Sequence, residues 1–267
     1  MGSQVQSSAS VLIQEFGEQR VLAFFLVLAR LSPLFVLAPL FSSRQLPARV
    51  RGILAVALAI GLSPVVGTDV RLTTDVMGIA GLIVKEIAVG AAFAYALAAT
   101  FAAVTVAGSF LDTSIGFSYG GLLDPINGNQ SALLSTLYGL IGVMIFIAIG
   151  GDAWVIQGLA RTYDVVGLND YPQLGTMVQG AGQAFVQIFG SALEVAGPVL
   201  LALVLTDAAF GIVSRVVPQL NVFQVGMPAK VLVGILLMGA TMPFLAGWIS
   251  NQLQDDIASA LQTLRVG

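Results

Sequence analysis

The sequence predicts an all-α membrane protein built from long, kinked apolar helices. Composition is the first reason: 57% of the 267 residues are hydrophobic, 9% are charged, and the mean hydropathy is +0.93. Soluble domains carry about 25% charged residues, and a soluble chain this apolar would expose patches that aggregate. The second reason is distribution. The apolar residues fall into six runs, Val21–Phe41, Val50–Val66, Val76–Leu111, Ala132–Ile149, Ala181–Val213 and Val222–Ile249, of the order of the ~20 residues that cross a hydrocarbon core of about 30 Å. The third is length: the third and fifth runs reach roughly 35 residues, about 50 Å as continuous helix. That overshoots one crossing and falls short of two crossings plus a turn. Helices that bend back on themselves or project beyond the membrane against protein partners are one arrangement, the latter preferred here. Steep tilt or a kink, which Gly197-Pro198 would supply in the fifth run, is the other.

The first run follows MGSQVQSSAS, which lacks the basic flank of a cleavable signal peptide, so this run is expected to be retained. Between the first and second runs Arg44, Arg49 and Arg51 stand without an acid, and Arg215 and Lys230 flank the Pro218 region in the same way. Both loops are expected to face the cytoplasm, whereas Gly67–Asp75, with Asp69, Arg71 and Asp75, is a poor cytoplasmic candidate. Six crossings satisfy this pattern with the amino terminus outside.

In the third run Gly90, Ala94, Ala98 and Ala102 recur every four residues and make a smooth stripe for close helix packing. The charges inside apolar runs each need a reason, since a charge at mid-membrane costs about 2.5–3.5 kcal/mol. Lys85 and Glu86 are adjacent and on a helix should face different neighbours. Glu194 lies beside Gly197-Pro198, where freed backbone groups and water can accompany it, and Asp207 lies a little over two turns before Arg215 on roughly the same side. Arg30, near Ser32-Pro33, snorkels or pairs across a helix contact. Structural ion pairs or subunit contacts are preferred over proton handling for all of these.

After the third run, Gly108–Gln130 alternates Phe110, Ile115, Phe117 and Tyr119 with Ser109, Thr113, Ser114 and Ser118, then breaks at Gly120-Gly121 and Asp124-Pro125. Period-2 alternation predicts extended backbone. Non-helical backbone at membrane depth survives only where protein or a water-filled cavity covers it. This stretch therefore either lines or closes a passage, or is an ordinary loop outside the bilayer. Gly150–Gly180 reads as a helix end and a polar loop. Asn251–Gly267 reads as a short amphipathic helix, with Leu253, Ile257 and Leu261 at helical spacing.

With neither Cys nor His, the thiol, Ser–His and usual metal constellations are closed off, and neither an enzyme nor a cofactor is indicated. The net charge of −3 and the absence of a large Lys/Arg cluster argue against nucleic acid as a partner.

Three blocks together resemble one family. SSRQLPARVR at 42–51, with Arg44, Pro47, Arg49 and Arg51, is similar to its basic segment. GFSYGGLLDPINGNQSALLS, with Gly116, Asp124 and Pro125, is similar to its Gly–hydrophobic–Ser then Asp-Pro pattern. VPQLNVFQVGMPAKVLVG, with Pro218, Gln219, Leu220, Asn221, Phe223, Gly226, Pro228 and Lys230, is the most specific, because membrane composition alone does not generate an asymmetric uncharged run of this kind. The family is FliR, of the flagellar type III export gate, and its injectisome relatives share the pattern. The likeness runs from about Val21 to Ile249. Met227 stands where the family often has Phe, and Gly151-Asp152 where it often has Gly-His.

The resemblance implies one export-gate domain over 1–267, with a segment 1–20, a plug-like loop 108–130 and a tail 251–267. It implies helical hairpins packed into a helical assembly with FliP-like and FliQ-like subunits and other export-apparatus and basal-body proteins. That assembly sits in the bacterial inner membrane within the flagellar basal body, in contact with lipid and with the unfolded proteins it exports. It also implies that Phe110, Ile115, Phe117 and Tyr119 form an apolar plug with Gly108, Gly116, Gly120 and Gly121 as its flexible points. The competing reading is a proton-coupled secondary transporter using Glu86, Glu194 and Asp207, but the chain shows no internal duplication of the kind transporters carry.

Overall fold

A computed structural model of the chain describes residues 17, 19–38, 47–64, 66, 72, 75–117, 132–219 and 221–265, with Val222 and Phe223 described by backbone alone. Among these residues there are helices and turns and no strands, as an all-α membrane protein requires. The helices are α1 (Gln19–Leu37), α2 (Ala48–Leu62), α3 (Val76–Ile115), α4 (Leu133–Ala148), α5 (Gly151–Val165), α6 (Leu174–Val216) and α7 (Val222–Thr263).

Local chemistry sets their ends. A turn at Ser32-Pro33 interrupts α1 before Leu34–Leu37, and Pro47 immediately precedes α2, where its fixed φ and missing N–H cost nothing. Asp75 opens α3 by accepting a hydrogen bond from Gly78 N at 3.2 Å. Gly116, at φ 103, closes α3 in the left-handed conformation that glycine adopts freely. Gly150, at φ 70, separates α4 from α5, whose axes bend by 74°. Asn221 Oδ1 caps α7 by accepting from Gln224 N at 3.3 Å.

Four helices are long and apolar enough to cross a membrane, or up to five if α4 and α5 form one broken span. This revises the expectation of six crossings. The run around Val50–Val66 gives the 15-residue α2, about 22 Å long and shorter than a hydrocarbon core of about 30 Å. Much of Gly150–Gly180, expected as a polar loop, is instead α5 and the start of α6. The two long runs are neither hairpins nor broken. The 40-residue α3 measures about 60 Å and the 43-residue α6 about 65 Å. Pro198 lies inside α6, and Pro228 and Pro243 inside α7, each withholding the N–H that would satisfy the carbonyl four residues earlier. The separate amphipathic tail is also revised: α7 continues to Thr263, and Leu253, Ala260 and Leu264 are buried.

The chain divides into two compact units, Met1–Ala98 with Asp152–Gly182 and Asp256–Gly267, and Ala99–Gly151 with Gln183–Asp255. In the first, α1 lies so close to α3 that a Cβ on Gly90 would stand 2.0 Å from Arg30 O. This is the stripe contact expected from the Gly90–Ala102 spacing, with Ala94 also fully buried. Gly158 of α5 faces Phe93 and Ile257, and Thr176 Oγ1 donates to Thr263 O at 3.1 Å, joining the start of α6 to the end of α7. The core of the second unit is one cluster fed by α3 (Val104, Ala107, Leu111), α4 (Leu134, Tyr138), α6 (Val195, Val199, Leu203) and α7 (Met238, Leu245, Trp248, Ile249). Here α3 and α4 form a helical hairpin, Gly108 meeting Ser135, Gly139 meeting Thr105 and Gly142 meeting Val104.

Candidate functional site

The stretch expected to be extended from Gly108 is helical through Ile115. Packing decides the period. Ala107, Leu111 and Ile115 are buried four residues apart, on the face that also carries Gly108 and Asp112. The polar partners in the alternation do not demand extended backbone, because the hydroxyls of Ser109 and Thr113 donate to Thr105 O and Ser109 O, one turn back, at 3.1 and 3.0 Å. Ile115 is 2% exposed, with its side chain against Gly234 of α7, and Phe110 and Phe117 lie half-buried against the same core. Gly116 turns the chain out of the helix. Tyr119, Gly120, Gly121, Asp124 and Pro125 lie outside the described residues.

The segment returns at α4, where Ala132, the residue before the first turn, supplies no side-chain cap. Asp112 supplies one from α3. Its Oδ1 accepts from Leu134 N and its Oδ2 from Ser135 N, both at 2.9 Å, and the residue is 2% exposed. These are the orphan amides that a local cap would serve, at the helix end that favours negative charge. Ser135 Oγ also donates to Thr105 O at 2.9 Å. Sequence reasoning missed Asp112. Reading 108–116 at helical spacing would have placed it on the buried face between Gly108 and Gly116.

The first unit holds a buried charge cluster. Arg30 is fully buried and grips Glu86 side-on, Nε donating to Oε2 and Nη2 to Oε1, while Nη1 donates to Thr162 Oγ1 at 3.1 Å and Nη2 to Val166 O at 2.9 Å. Its guanidinium lies 3.8 Å from the centre of the Tyr163 ring. Lys85 Nζ contacts Glu86 Oε1 at 2.8 Å and donates to Gly167 O at 3.0 Å and Leu168 O at 2.7 Å. The adjacent Lys85 and Glu86 thus do meet, against the expectation that they face different neighbours: the four-carbon stem of lysine spans the angle between neighbouring helical positions. Both cations also satisfy carbonyls at the C-terminal end of α5, the end that favours positive charge. The expected pairing of Arg30 across a helix contact is found, although its helical partner was not named.

The remaining internal acids are separately engaged. Glu194 accepts from Trp248 Nε1 at 3.1 Å, and Asp207 pairs with Lys230 at 2.9 Å rather than sharing a face with Arg215. Among the described residues, no three acids converge as a metal site would require. Of the basic segment, Pro47 and Arg49 are exposed at the start of α2 and Arg51 is half-buried, while Arg44 lies outside the described residues. In the 218–230 block, Pro218 and Gln219 form the exposed turn between α6 and α7, Asn221 is the α7 cap, Gly226 is buried and Pro228 exposed. Leu220 lies outside the described residues, as does the side chain of Phe223.

Residues 21–255 match the family model of bacterial export proteins, family 1. The chain is 32% identical over 219 residues to the flagellar biosynthetic protein FliR of Bacillus subtilis strain 168, covering 81% of this chain and 84% of that one. It is 29% identical over 232 residues to FliR of Escherichia coli K12, covering 87% and 88%. Similarity extends to the surface presentation of antigens protein SpaR of Shigella sonnei, at 26% over 213 residues, covering 79% and 82%. The chain belongs to the bacterial export proteins, family 1, to which its FliR and SpaR relatives point.

Proposed function

We propose that this chain is a subunit of a flagellar type III protein export gate in the bacterial inner membrane. It builds the export channel with FliP-like and FliQ-like subunits and passes unfolded flagellar components. The observation that carries the reading is the match to an export-protein family over residues 21–255. Helix length supports it. Helices of about 60 Å cannot be sheathed by a hydrocarbon core of about 30 Å, yet α6 exposes apolar side chains along its whole length, from Leu174 and Val178 through Leu193 and Val204 to Val216. Protein partners are the natural cover for what lipid does not reach. The flagellar branch is preferred over the injectisome because the FliR relatives reach 32% identity and the SpaR relatives 26%.

In this reading the segment after Gly116 is the plug. Phe117 and Tyr119 make a dry apolar constriction that stops ions, Gly116, Gly120 and Gly121 let it swing aside, and the buried Phe110 and Ile115 root it in the core. The chain performs no covalent chemistry. The transporter reading loses ground because Glu86, Glu194 and Asp207 are each engaged by a separate partner.

Deleting Ser118–Gly121 tests the plug. The assembled complex should then leak ions across the membrane, and an intact complex of unchanged conductance would falsify the assignment. Removing the gene should abolish motility; loss of injectisome secretion with motility intact would assign the chain to the other branch.

A further inference from the structure

We propose that Asp112 is a positioning residue for the gate: it pins the end of α3 to the start of α4 and so fixes both roots of the plug segment. The inference rests on the plug reading, and names what holds that plug in register.

The geometry is that of a joint rather than an incidental contact. Thr105, Gly108 and Asp112 follow one another at three- and four-residue spacing along α3 and all meet the same two residues, Leu134 and Ser135. The backbones touch: a Cβ on Gly108 would stand 2.5 Å from Ser135 Cα and 2.7 Å from Leu134 O. Asp112 then spends both carboxylate oxygens on amides of a different helix, although a carboxylate at position 132 would cap α4 at no topological cost. Only Asp112 caps and ties at once. Gly116 N donates to Asp112 O at 3.1 Å, so the point where the chain leaves the helix is one turn from the clamp. A segment with both ends pinned has fewer conformations than one with a free root. Opening then has to come from rotation at Gly116 and beyond, with the joint closed.

The test uses the full chain, purified with the co-expressed membrane proteins of its export apparatus and placed in potassium-loaded vesicles, with potassium efflux as the readout. Asp112→Asn keeps the shape and one acceptor but loses the charge and one hydrogen bond. Efflux should rise about tenfold over wild type, the ratio expected from a bond to a charged group. Asp112→Asn with Ala132→Asp restores a cap to α4 without the tie to α3, and should still leak. Gly108→Ala pries the same joint apart without touching a charge and should leak as well. If Asp112→Asn assembles and stays sealed while the Ser118–Gly121 deletion leaks, the inference fails and the plug reading stands. If that deletion is sealed, the plug reading itself fails. Sealing by Ala132→Asp reduces Asp112 to a helix cap, and failure of both Asp112→Asn and Gly108→Ala to assemble reduces it to a folding residue; either overturns the proposal.

Discussion

Glu86 has no exposed surface and faces two cations, Arg30 and Lys85, whose remaining donors reach Thr162 Oγ1 and the carbonyls of Val166, Gly167 and Leu168. Such a cluster is stable only as a set, because each partner holds the others' charge out of water. Glu86→Gln should therefore cost about 3–5 kcal/mol, the range for breaking a buried pair and leaving a charge uncompensated. Thermal denaturation of the detergent-solubilised protein measures this, and a melting point within a degree of wild type would contradict the account. Tyr163 offers the opposite case. Its ring carries Arg30, but its Oη is buried without a hydrogen-bond partner among the described residues. Tyr163→Phe keeps a ring face and removes a polar atom that has already lost its water, so stability should hold or rise by up to about 1 kcal/mol. A clear fall in melting temperature would mean that the hydroxyl has a partner in the assembled protein.

The helices are held by the absence of side chains as much as by their presence. Gly90→Ala would drive a Cβ into Arg30 O at 2.0 Å, backbone against backbone. The helices α1 and α3 would have to part, at an overpacking cost of about 1–3 kcal/mol or more. Gly81, two turns and a residue earlier on the same helix, has nothing within 4 Å, and Gly81→Ala should stabilise by about 0.5–1 kcal/mol through helix propensity alone. Equal effects of the two substitutions on the melting temperature would rule out the close approach. The Gly90 stripe was legible in the sequence because four-residue spacing of small residues has one main physical use. The Gly108–Ile115 stretch was misleading because its alternation satisfies two periods at once. Phe110 and Ser109 suggest a strand, while Ala107, Leu111 and Ile115 suggest a helix, and burial against α6 and α7 chose the second. The partners of Arg30 and Asp112 were not legible at all: the first meets α3 and α5, and the second caps a helix beginning 21 residues later at Leu133. Such long-range pairings leave no local spacing to read.

At the scale of the molecule, composition fixed the environment and length exposed its limit. A chain 9% charged belongs with lipid or partners, but six apolar runs became four long helices and a broken pair because apolar runs report burial, not crossings. α2 illustrates this. It is too short to cross, yet Ile53, Leu54, Val56 and Ile60 on it are exposed, an apolar surface on an element that neither unit's core absorbs. Together with the outward apolar side chains of α6 and α7, this describes a subunit whose surface is completed by others. The family to which the chain belongs is one of export proteins, and the most direct measurement of the central claim is the mass of the particle that carries it. The tagged chain, extracted gently from membranes in which its export apparatus is co-expressed, should appear by native mass spectrometry as one large complex of fixed stoichiometry with small membrane subunits. A stable lone monomer or dimer would contradict it.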